Sequence, residues 1–89
     1  MFIDRVTTTP EELAIVDAEA GLFSDPPPGL AAAVAWESGE GEVTCLMVWD
    51  TPGQRGDFAF QKMMPLIESG RVGADPDVLQ PTRIYLRGA

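Results

Sequence analysis

The sequence predicts an α+β domain built as strand, helix, strand, strand, helix, strand, and three observations carry that expectation. Two threonine-proline junctions, Thr9-Pro10-Glu11-Glu12 and Thr51-Pro52-Gly53-Gln54, each stand where an apolar run gives way to a helical period. Between them, Leu30 to Trp36 and Val43 to Trp49 are apolar runs joined by the Gly- and Glu-rich Glu37 to Glu42, the pattern of a hairpin. Val43 to Trp49 is apolar on both faces, so the sheet needs cover on both sides.

Taken in order, Met1 to Val6 reads as a strand, with Phe2 and Val6 on one face and Met1, Ile3 and Arg5 on the other. Thr9-Pro10-Glu11-Glu12 is a capping box: the Thr9 hydroxyl accepts the Glu12 N–H, the Glu12 carboxylate reaches back to the Thr9 N–H, and Pro10 occupies the first helical position. Leu13, Val16 and Ala20 form the buried stripe of this helix, Glu12, Asp17 and Glu19 face water, and Gly21 ends it. Leu22 and Phe23 fall outside the period and are expected to anchor the chain. Ser24 to Gly29, with three consecutive prolines, is an extended connection rather than a ligand for another module.

Leu30 to Trp36 is the second strand, with Ala32, Val34 and Trp36 on one face and the small Ala31, Ala33 and Ala35 on the other. Val43 to Trp49, the third, places Val43, Cys45, Met47 and Trp49 opposite Thr44, Leu46 and Val48. Thr51 caps the second helix, which is expected to bury Phe60, Met63 or Met64 and Ile67, with Phe58 beside them. Pro65 lies too deep to cap and must kink or split that helix. Arg71 to Gln80 is expected to be a loop, and Thr82 to Arg87 the last strand, opened by Pro81.

Composition narrows the function classes. At 89 residues the chain is expected to form a single domain, residues 1–89, with a thin core. A lone cysteine, Cys45, makes neither an internal disulfide nor a cysteine-built zinc site, which leaves oligomerisation as the source of added stability. Fourteen acidic against six basic residues oppose nucleic-acid and anionic-membrane binding. Ten of the acids, with Arg5 as the only base, fall in residues 1–50; this reads as a solvated acidic face. The longest apolar run, Leu30 to Trp36, is far too short to span a bilayer, and no basic segment precedes an apolar one at the N-terminus, so a soluble cytoplasmic protein is expected. Histidine and asparagine are absent, which removes histidine metal sites, histidine general bases and Ser-His or Cys-His nucleophile pairs. No metal and no cofactor is expected.

The order of elements is the ferredoxin-like βαββαβ plan: a four-stranded antiparallel sheet with two helices on one face. The other face retains part of the apolar set of the third strand, a patch that a second copy would cover by sheet-to-sheet packing. A homodimer is therefore expected.

Several short motifs in fixed order resemble a known family. Pro28-Gly29-Leu30 before a strand, Val48-Trp49-Asp50-Thr51 ending the next, Phe60 with Met64-Pro65-Leu66 in a helix, Gly70, and a last strand near Pro81 are similar to actinobacterial proteins of the dimeric α/β-barrel superfamily, relatives of the antibiotic-biosynthesis monooxygenases. The likeness covers roughly residues 28 to 88; Trp49-Asp50-Thr51 stands where the family usually has Trp-Glu-Ser. It implies a dimeric α/β barrel with a pocket between sheet and helices, but not one reaction, since members include cofactor-free oxygenases, haem-degrading enzymes and isomerases. The haem-degrading branch looks to histidine and asparagine, and this chain has neither.

Candidate ligand-binding residues are Trp36, Trp49, Phe60, Met64 and Tyr85, with the indoles suited to a flat aromatic ligand. Tyr85 as proton donor and Arg83 as an anion clamp are the candidate catalytic pair, with Arg87 and Arg5 as further cations; charged residues guarding a terminal strand explain the same pattern. Cys45 is expected to be inert, because burial raises a thiol's pKa. Asp50 is expected only to help cap the second helix. Two functions stand: binding of a small apolar or aromatic ligand, and a cofactor-free monooxygenase- or isomerase-like activity on an aromatic or polyketide-like compound.

Overall fold

The computed structural model describes residues 1–73, 77–79, 83 and 85. Strands β1 (Phe2–Thr8), β2 (Leu30–Gly39), β3 (Glu42–Trp49) and β4 (Asp77–Leu79) form one sheet in the order β2-β3-β1-β4. Every neighbouring pair is antiparallel. This is the strand order of the expected ferredoxin-like plan, and α1 (Pro10–Ala20) and α2 (Pro52–Phe58) follow β1 and β3 as the two threonine-proline junctions require.

Both junctions use their threonine. The Glu12 N–H donates to Thr9 Oγ1 and the Gln54 N–H to Thr51 Oγ1, each at 3.2 Å. The reciprocal half of each box is spent elsewhere. Glu12 accepts from the Thr8 hydroxyl and, 61 residues away in sequence, from the Gly73 N–H at 3.0 Å; Thr51 Oγ1 bonds Gln54 Oε1 at 3.1 Å. Glu12 is therefore half-buried and holds a distant loop, rather than facing water as its place on the helix suggested. Asp17 is likewise engaged: its Oδ1 accepts the Phe23 and Ser24 N–H groups at 2.8 and 2.9 Å. That turn drives Leu22 into the core and leaves Phe23 largely exposed, so the expected anchor is Leu22 alone.

The β2–β3 hairpin is tighter than expected, because β2 runs on to Gly39 and β3 starts at Glu42, leaving Glu40-Gly41 as the turn with Gly41 at φ 69°. At the other end of β2, Gly29 sits at φ 85°, and the Gln54 side chain lies so close that an added Cβ would stand 2.6 Å from Gln54 Cβ. The Asp50 N–H donates to the Gly29 carbonyl at 2.8 Å, tying this glycine to the end of β3 as well.

The second helical segment resolves its internal proline without a break. A π-helical turn, Ala59–Met63, joins α2 to α3 (Met64–Glu68), and the Met64 N–H reaches five residues back to the Ala59 carbonyl just before Pro65, which has no N–H to give. The surplus residue in that turn rotates everything after it. Phe58, Met63 and Leu66 point inward, whereas Phe60 is 76% exposed and Met64 and Ile67 sit at the rim. The expected buried set, counted at 3.6 residues per turn from Phe60, is thus corrected by the π turn.

The register sorts each strand by face. Phe2, Asp4 and Val6 of β1 stand beside Trp49, Met47 and Cys45 of β3, and Ala33 and Ala35 of β2 continue these rows beneath the helices. The core is Val6, Cys45, Trp49, Val16, Ala20, Leu22, Phe58, Leu66 and Val72. The opposite face carries no helix among the described residues: Ala32, Val48, Ile3 and Leu79 form one row, and Val34, Leu46 and Arg5 the next. Val34 and Trp36 are about half exposed on it, at 53% and 44%. A hydroxyl ladder completes this face, with Thr7 and Thr44 Oγ1 3.2 Å apart and Thr44 donating to Ser38 Oγ at 2.7 Å.

β4 lies inside the stretch expected to be a loop, where Asp77 to Leu79 pair with Arg5 to Ile3. The predicted strand at Thr82 to Arg87 lies outside the described residues, apart from Arg83 and Tyr85; both are exposed and belong to no strand. Among the described residues, no helix is long and apolar enough to cross a membrane.

Candidate functional site

Sheet and helices do not close completely on one another. A cavity of about 130 Å³ lies between them. Val6, Cys45 and Met47 form its sheet wall, Leu13 and Val16 of α1 one side, and Phe58, Ala59 and Met63 the other, with Leu22 and Val72 completing it. Met64 and Ile67 line it as well, and because each is about 40% exposed they mark its mouth. The π turn matters here: it sets Ala59 and Met63 on the cavity wall and Phe60 outside.

Two charged groups, Asp4 and Arg55, interrupt these apolar walls. Asp4 sits on β1 between Phe2 and Val6, and strand alternation therefore aims it at the core, where it is only 4% exposed. A buried carboxylate needs partners. Asp4 accepts Arg55 Nε at 2.7 Å on Oδ1 and 2.9 Å on Oδ2, and the Trp49 indole Nε1–H donates to Oδ2 at 3.0 Å. The Thr51 cap starts α2, and Arg55, four residues on, lies in the last turn of that short helix. Trp49 is fully buried, its ring tilted against Phe58 with centroids 5.3 Å apart. The trio thus pins α2 to β1 and β3, and its Asp4 and Arg55 form one edge of the cavity.

The other polar groups on the wall have settled roles. The Thr8 hydroxyl donates to Glu12. Burial pushes the Cys45 thiol up to about 11, so it stays protonated at neutral pH, in line with the inert role expected for it. No group of three or more acidic, cysteine or histidine side chains among the described residues is placed to hold a metal ion.

Of the five candidate ligand residues, Met64 alone lines the cavity. Trp49 lies in the core behind Asp4, Trp36 is on the uncovered sheet face, and Phe60 points to solvent. Tyr85 is 85% exposed and Arg83 is exposed too, so the structure does not gather Tyr85, Arg83 and Arg5 around the cavity. Sequence reasoning passed over Asp4 and Arg55. The signal for Asp4 was present: Phe2 and Val6 share one face of the first strand, and the residue midway between them lies on it too.

Fold and site together define a ferredoxin-like α+β protein with an apolar cavity between helices and sheet. No protein-family model matches the chain, and no curated relative matches it. Solved structures do. A protein of unknown function from Nitrosomonas europaea, NE2512, superposes with a TM-score of 0.70 at 13% identity, covering 99% of this chain and 95% of that one. A candidate antibiotic biosynthesis monooxygenase from Deinococcus radiodurans superposes at 0.62 with 15% identity, covering 99% and 100%. SnoaB, a cofactor-independent oxygenase from Streptomyces nogalater, superposes at 0.61 with 18% identity, covering 97% and 94%. At such identities the likeness carries the fold alone: this chain has the fold of the antibiotic biosynthesis monooxygenase-like proteins, as its motifs implied.

Proposed function

We propose that this protein is a homodimer that binds a small apolar or aromatic molecule in the cavity between sheet and helices. The carrying observation is the cavity itself, about 130 Å³ and walled almost wholly by aliphatic, thioether and aromatic side chains. A dry apolar cavity of about 150 Å³ accepts a benzene-sized guest, so a single ring is the matching size. The methionines at Met47, Met63 and Met64 supply an adaptable lining. The dimer is supported by the uncovered sheet face, where Val34, Trp36 and Leu79 stay exposed beside Leu46. A second copy packed sheet to sheet removes that surface from water.

A second reading, a cofactor-free monooxygenase- or isomerase-like enzyme acting on an aromatic or polyketide-like compound, draws on the fold shared with SnoaB and on the Asp4 carboxylate at the cavity edge. Binding leads because Asp4 is already met by Arg55 and Trp49 rather than presented alone to a substrate. The test is a thermal-shift series with toluene, ethylbenzene, naphthalene and a medium-chain alcohol. A ligand that binds only the native state raises Tm with concentration by mass action. Replacing Ala59 with leucine fills the cavity and should abolish the shift; the absence of any shift across the series in the unaltered protein overturns the proposal.

A further inference from the structure

Asp4 offers more than its structural contacts use. Among the described residues, its two oxygens receive three short contacts from two donors, Arg55 Nε and Trp49 Nε1, and Oδ1 receives the Arg55 Nε alone. A carboxylate has about four lone-pair sites. Acceptor capacity therefore remains on a side chain that lines the cavity. Its other polar wall groups are weaker acceptors: the Thr8 hydroxyl, which donates to Glu12, and the protonated Cys45 thiol are neutral, and a hydrogen bond to an ionised carboxylate is the stronger one.

We infer that the cavity selects small arenes bearing one hydrogen-bond donor, a hydroxyl or an N–H, which docks on the Asp4 carboxylate; this rests on the ligand-binding reading above. The chemistry follows from the charge balance. Arg55 compensates the carboxylate, so the guest need bring no positive charge. Because a carboxylate only accepts, a ligand offering lone pairs alone, such as an ether, meets an unfavourable contact there. A ring of benzene size fills the apolar volume and leaves its substituent to reach the edge formed by β1.

The experiment compares phenol, aniline, toluene and anisole on the unaltered protein by calorimetric titration and thermal shift. Phenol and toluene are nearly the same size, and the hydroxyl decides between them. Entering a wholly apolar cavity, the phenol O–H loses its water partners without replacement, and toluene binds more tightly. With Asp4 as acceptor the order reverses, and phenol and aniline bind about tenfold or more tightly than toluene and anisole. Toluene or anisole binding as well as phenol overturns the inference while leaving the ligand-binding reading intact. Failure of all four overturns both. A double substitution, Asp4→Leu with Arg55→Met, removes carboxylate and guanidinium together; it should return the preference to toluene, and a phenol preference that survives it overturns the assignment to Asp4. Should that variant not fold, the ligand series on the unaltered protein still decides.

Discussion

Replacing Arg55 with methionine tests the physical core of the site. Methionine keeps the apolar stem and removes the guanidinium, leaving the Asp4 carboxylate, 4% exposed, with Trp49 Nε1 at 3.0 Å as its remaining donor. Breaking a buried pair from one side costs about 3–5 kcal/mol, because the surviving charge stays desolvated. The Arg55 side chain is 25% exposed, so water reaches the pair from that side and the expected cost falls to about 2–3 kcal/mol. In a domain of this size that lowers Tm by about 10–20 °C. The assay is urea unfolding followed by tryptophan fluorescence at fixed protomer concentration, since an oligomer's stability depends on it. The double variant Asp4→Leu/Arg55→Met should recover most of the loss, because the desolvated carboxylate is gone as well. A loss below about 0.5 kcal/mol for Arg55→Met would refute the argument that the guanidinium is what holds Asp4 inside.

Three further outcomes follow from other parts of the structure. Leu46→Glu places a charge in the middle of the uncovered sheet face, so the protein should sediment as a dimer at tens of micromolar and the variant as a folded monomer; an unaltered protein that is monomeric there sinks the dimer. Gly29→Ala forces a side chain into a left-handed conformation against Gln54 and should cost at least 1–2 kcal/mol, with Gln54→Ala returning only the steric part. Asp17 has its pKa lowered, chiefly by the Phe23 and Ser24 N–H groups, so its stabilising effect is fully present above its unfolded pKa of about 3.9 and is lost as pH falls through the lower folded value. Asp17→Asn should flatten that part of the acid-unfolding profile, and an unchanged profile would show that the turn at Leu22 does not depend on the charge.

What could be read from the chain and what could not differ in the range of the interactions involved. Thr9 and Thr51 announce their helices because a cap is a contact across three residues, and both bonds form. The faces of β1, β2 and β3 follow from alternation, which a strand cannot escape. In the helix after Thr51, Phe58 and Met63 lie inside as expected, whereas Phe60 is exposed and Ile67 sits at the rim, in a segment where a π turn adds a residue just ahead of Pro65. Tyr85 and Trp36 were chosen by residue type; Asp4 and Arg55, 51 residues apart, form the site edge by position.

By itself the sequence determined the order of elements, the two capped helix starts, the doubly apolar third strand and the absence of histidine and asparagine chemistry. All of these are written in near neighbours or in composition. Only the tertiary structure decided that β4 lies at Asp77–Leu79, that the cavity opens between Met64 and Ile67, and that a buried carboxylate meets a guanidinium at its edge. Those features depend on how separate segments pack. A desolvated charge selects its partner by proximity in the folded chain, which spacing along the chain does not encode.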